Sequence, residues 1–190
     1  MNIIEKTKQF FYKEIDKFGS DPYRLLWHLP EVENRAKICL KTIQADEEIV
    51  LLGVWLHDIW HYPIPTEIDH AVRGERIATE FLSEHEYNKE KTKRIAHCVR
   101  SHRCKDVQPE TIEAKIIAFS DSASHMTQAD MYLWMAKKIG TKETLEKLER
   151  DYRDLWQFPE FKEKLHPLYL SWKNLLETYE NVMWNIENNS

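Results

Sequence analysis

His57 and Asp58 stand side by side near the end of an otherwise apolar run, Ile49 to Trp60. A carboxylate in apolar surroundings is costly unless it is paired, hydrogen-bonded or metal-bound. Other parts of the chain must therefore answer this pair. His28 is one candidate, because Val32 and Ala36 follow it at i+4 and i+8 and set it on the packed side of its helix. Asp121 is another, since it follows the apolar run Ile116 to Phe119 between two small residues, Ser120 and Ser122. A histidine from one helix, a His-Asp pair from a second and an aspartate from a later one converge only in a core. Three or four such N and O ligands suit a divalent transition metal (Mn, Fe, Co, Ni or Zn, rather than Mg or Ca) and leave positions open for water and substrate.

The elements that must position these residues read as helices almost throughout. Ile4, Phe11, Ile15 and Phe18 mark a face of a first helix over Ile3 to Phe18. Gly19-Ser20-Asp21-Pro22 closes it and opens the next, with His28-Leu29-Pro30 near the start of a helix running to about Ile43. Asp46-Glu47-Glu48 is an acidic start for the helix that carries His57-Asp58. Tyr62-Pro63-Ile64-Pro65 breaks it. Further helices are predicted over Thr66 to Ser83, Asn88 to Ser101 and Glu110 to His125, with a loop from His102 to Pro109. Three more follow over Ala129 to Ile139, Lys142 to Gln157 and Phe161 to Ile186, punctuated by Gly140 and Pro159. The expectation is an all-α fold of about seven to nine helices. The 190 residues are expected to form one domain, with a metal-binding core over residues 23–125 and a C-terminal helical layer over residues 126–190.

Composition narrows the function classes. The net charge is -5 and no long basic run occurs, which argues against a nucleic-acid polymer as partner. No stretch carries the roughly 18 apolar residues of a membrane span. Met1 to Phe18 lacks the apolar core of a signal peptide, so a cytoplasmic protein with no membrane partner is expected. Three cysteines, Cys39, Cys98 and Cys104, with no C-x-x-C pair exclude a disulfide framework. Four glycines without a G-x-G-x-x-G or Walker pattern exclude a glycine-rich phosphate loop.

The ordered set His28, His57-Asp58 and Asp121 resembles the HD superfamily of metal-dependent phosphohydrolases. Val54-Trp55-Leu56-His57-Asp58-Ile59 stands where the family usually has Ala-x-Leu-His-Asp-Ile. Asp69-His70-Ala71-Val72-Arg73-Gly74 is similar to a second histidine block, and Ile95 to Arg103 to a third; the resemblance spans about Tyr23 to His125. It implies a helical domain that holds one or two divalent transition ions and hydrolyses phosphate esters or anhydrides of a nucleotide or other small phosphorylated metabolite. His28, His57, Asp58 and Asp121 would then hold the first ion, and His70 and His102 would serve a second ion or the active site. Such an ion lowers the pKa of bound water and clamps a phosphoryl oxygen. Arg103, directly after His102, and Arg73 are the expected phosphate contacts. Distant relatives oxidise substrates with two irons, and a metal-bound binding module without turnover is a further alternative.

The remaining histidines are weaker candidates. His97 lies five positions before His102, so the two sit about 140° apart on one helix, and His102 is the favoured member of the pair. His125, four residues after Asp121, shares its helix face and either points to substrate or packs. His61 reads as an exposed loop residue or a proton shuttle. The oligomeric state stays open, with a homodimer among the options.

Overall fold

The computed structural model describes residues 1–59 and 68–188, and no strand occurs among them. The chain forms α1 (Ile3–Phe18), α2 (Leu25–Leu40), α3 (Glu47–Leu56), α4 (His70–Glu84), α5 (Lys89–Ser101), α6 (Ile112–Thr127), α7 (Met131–Ile139), α8 (Thr141–Asp154) and α9 (Pro159–Asn188). The fold is all-α, as the periodicity predicts. The break at Tyr62 to Pro65, the start at Thr66 and His61 lie outside the described residues.

Side-chain caps fix the starts of several helices. The Asp21 carboxylate accepts from the N–H groups of Leu25 and Leu26 at 2.8 and 2.9 Å, so α2 begins at Leu25 and His28 lies near its start, as expected. Thr111 Oγ1 accepts from Ala114 N–H at 3.2 Å and starts α6 at Ile112, while Glu110 N–H is drawn aside to His97 Nε2 at 3.1 Å. The Asn2 side chain caps α1, and Gly19, at φ 77°, closes it in the left-handed conformation that favours glycine.

Two compact units divide the chain, Met1–Asp121 and Ser122–Ser190. In the first, α3 is the central element. Every residue from Ile49 to Leu56 is buried, as an all-apolar helix requires. It packs on α1, α2 and α5, while α4 packs on α5. A buried polar tie fixes one of these contacts: Trp55 Nε1 donates to Glu33 Oε2 at 2.6 Å, joining α3 to α2. Close approach of α4 depends on Gly74, where a Cβ would come within 2.9 Å of Val99 Cγ1 and 3.4 Å of the His57 carbonyl oxygen.

In the second unit α8 packs on α7 and α9. Its polar interior holds Asp151 and Asp154. Burial pushes the Asp154 carboxyl from 3.8 up to about 6, and Arg153 Nε at 3.1 Å offsets only part of that. A raised folded pKa means that the folded state binds this proton more tightly than the unfolded chain does. The cost of the charged form is absent below about pH 4 and complete above about pH 6. Asp154→Asn is therefore expected to stabilise the protein by about 1–3 kcal/mol near neutral pH. That gain should disappear in thermal melts at about pH 4.

Candidate metal centre

The site is built mainly from helix ends. His28 projects from the first turns of α2, His57 caps the C-terminus of α3, and Asp58 follows directly after it. His70 is the first residue of α4, His102 caps the C-terminus of α5, and Asp121 lies on α6. Helix ends leave backbone groups unsatisfied, and two of the histidines use them. His57 Nδ1 meets the Val54 carbonyl at 2.8 Å and His102 Nδ1 meets the Val99 carbonyl at 2.7 Å. A carbonyl oxygen can only accept, so each Nδ1 carries a proton and each Nε2 is the ring's ligand atom when the ring is neutral. Both rings are thus oriented as a metal ligand's would be.

Those nitrogens meet two carboxylates. His28 Nε2 is 3.0 Å from Asp121 Oδ1 and 3.6 Å from Asp58 Oδ2. His57 Nε2 is 3.7 Å from Asp58 Oδ2 and 3.8 Å from Asp121 Oδ1. On its other oxygen, Asp58 Oδ1 faces His70 Nε2 at 3.3 Å and His102 Nε2 at 3.5 Å, and those two nitrogens are 3.3 Å apart. Asp58 therefore presents one oxygen to each of two clusters, His28-His57-Asp58-Asp121 and Asp58-His70-His102.

The donor set fits divalent ions. Ligand atoms bound at about 2.0–2.2 Å to a single ion lie about 2.8–3.6 Å from one another, close to the separations in both clusters. His57 Nε2 is buried and makes no hydrogen bond, an arrangement that is costly unless a cation takes its lone pair. Electrostatics point the same way. Burial by itself disfavours the His57 imidazolium, but the charges of Asp58 and Asp121 outweigh it and push His57 up to about 9. The pocket thus favours positive charge at the place where an ion would sit.

The other candidates are placed as follows. Arg103 forms an ion pair with Asp69, and Lys105 Nζ lies 3.7 Å from the same carboxylate. Arg73 is half-buried on α4, three residues after His70. His97 accepts from the Glu110 backbone, away from both clusters. In the second unit His125 Nδ1 lies 3.1 Å from Lys147 Nζ and 3.3 Å from Asp151 Oδ2. Asp69 is the residue that sequence reasoning missed. Its one signal was a capping residue directly before a helix start, a pattern common to most helices.

The model of the HD domain family matches residues 26–126, more than half of the chain. The chain belongs to the HD domain family, and that domain places it in a superfamily of metal-dependent phosphohydrolases. No curated protein and no solved structure matches it. Among the described residues no helix is long and apolar enough to cross a membrane.

Proposed function

We propose that the protein is a metal-dependent phosphohydrolase that acts on a nucleotide or another small phosphorylated metabolite. The observation that carries this reading is Asp58, whose two oxygens face two clusters of imidazoles. His28, His57, Asp58 and Asp121 would hold one ion, and Asp58, His70 and His102 a second. Manganese, iron, cobalt, nickel and zinc suit this mixed imidazole and carboxylate set. When bound, the ions supply an activated water and neutralise charge developing on phosphorus.

The chain's own residues do the rest. The Val54 and Val99 carbonyls hold His57 and His102 in one tautomer. Arg73, one turn after His70, is the cationic side chain assigned to the phosphate, while Arg103, next to His102, pairs with Asp69. The direct test is a screen for phosphate release from nucleotides and simple phosphate monoesters and diesters. It uses the metal-stripped protein reloaded with Mn, Co, Ni or Mg. Release is expected with the transition ions and should vanish on chelation. Full metal occupancy without release from any of these substrates would point to a binding module. Turnover that requires iron and oxygen would point to an oxygenase.

A further inference from the structure

His70 and His102 sit at two helix ends, the N-terminus of α4 and the C-terminus of α5, where the backbone is least constrained. Their Nε2 atoms face each other at 3.3 Å. With one N–H between them the two rings share a hydrogen bond, but as ligands of one ion both present lone pairs and no attraction between the rings holds them. Their helix ends must then set the separation.

Each of these histidines has a charged neighbour in the chain. Asp69 precedes His70, Arg103 follows His102, and the two neighbours form an ion pair with each other. The Asp69 carboxylate divides its work. Oδ1 accepts from Ala71 N–H at 2.9 Å and so fixes the first turn of α4, which His70 opens. Oδ2 takes the Arg103 guanidinium, with Lys105 Nζ at 3.7 Å. His102 is itself tied to Val99 one turn back, so an anchor on Arg103 is an anchor on the end of α5. One turn into α4, the Gly74–Val99 approach brings the two helices together, and the ion pair closes the gap at their ends.

We propose that Asp69 and Arg103 form a clasp that sets the His70–His102 separation and thereby the affinity of the second cluster for its ion. Both act as positioning residues. The inference rests on the reading of Asp58, His70 and His102 as an ion site. The side chains of Asp69 and Arg103 are 26% and 37% exposed, and an ion pair so open to water contributes little to global stability. Its effect is local, on two ligands whose spacing an ion senses steeply.

The test is titration of the metal-stripped full chain with Mn, followed by calorimetry and by metal analysis after equilibrium dialysis. Asp69→Asn keeps a good capping side chain for α4 but loses the charge that holds Arg103. Arg103→Gln removes the other half. Each is expected to weaken the second Mn about 10- to 100-fold and to leave the first Mn and the melting temperature unchanged. The double variant should be no weaker than either single one, because both break one interaction. Arg103→Lys should recover part of the loss. Second-ion affinity equal to the parent's in both single variants would overturn the clasp, and so would equal weakening of both ions with a fall in melting temperature. A parent that binds fewer than two Mn ions would instead overturn the two-ion reading, and the clasp with it.

Discussion

Asp58→Ala is expected to lose both ions and to lower phosphate release by about a thousandfold or more. The reason is position. Asp58 is the one residue common to both clusters, with Oδ2 toward His28 and His57 and Oδ1 toward His70 and His102. Loss of His102 would touch one cluster only, whereas loss of Asp58 opens both. The substitution also removes one of the two carboxylates that draw positive charge to His57. Helix content should be retained, because Asp58 lies beyond the end of α3 and the substitution leaves its backbone unchanged. Elemental analysis of the purified variant, with far-ultraviolet circular dichroism as the control for folding, decides the matter. A folded Asp58→Ala protein that carried the parent's metal content would remove Asp58 from the centre. Asp58→Asn separates charge from shape, since it keeps an oxygen for one cluster and places an uncharged amide toward the other.

The apolar run that ends in His57-Asp58 announced a buried helix, and α3 is one because no face of it could be left to water. The helix period also told which side of α2 His28 occupies, and the apolar run before Asp121 marked that residue as buried. What periodicity could not tell is what lies across the gap. It reports the face of a residue and says nothing of its partner. Nothing local marks His57 and His102 as C-caps whose Nδ1 atoms meet carbonyls three residues back. Arg103 illustrates the same limit. Its place after His102 suggested a phosphate contact, and no spacing rule told of its ion pair with Asp69, 34 positions away in sequence. His125 was legible as sharing the face of Asp121, but Lys147 and Asp151 come from α8 and no spacing rule connects them. The start of α6 moved from Glu110 to Ile112 because the Thr111 hydroxyl captures the Ala114 N–H.

Asp151→Ala is expected to destabilise the protein by about 3–5 kcal/mol, the cost of leaving buried partners of a charge unpaired. Asp151 is 1% exposed and takes three partners from three helices. Tyr132 Oη of α7 donates to its Oδ2 at 2.8 Å, Lys147 of α8 pairs with its Oδ1, and His125 Nδ1 of α6 stands 3.3 Å from Oδ2. His125 Nδ1 is within reach of both Lys147 and Asp151, so it accepts from the lysine when it carries no proton and donates to the carboxylate when it does. Burial alone would raise the Asp151 carboxyl, but the charges of Lys147 and His125 outweigh it and hold it below the usual carboxylate range. A depressed pKa contributes stability that is present above the unfolded value of about 3.9 and is lost as pH falls through the folded one. The parent should therefore lose stability in acid that Asp151→Ala has already lost at neutral pH, and the two unfolding curves should converge there. Tyr132→Phe, which removes one neutral donor, is expected to cost only about 1–2 kcal/mol. Urea unfolding followed by tryptophan emission reads both, because Trp172 packs edge-on against Tyr132 and donates to the Met126 carbonyl at 2.9 Å. Equal midpoints for Asp151→Ala and the parent at neutral pH would mean that apolar contacts alone join α6, α7 and α8, with the buried carboxylate as a passenger.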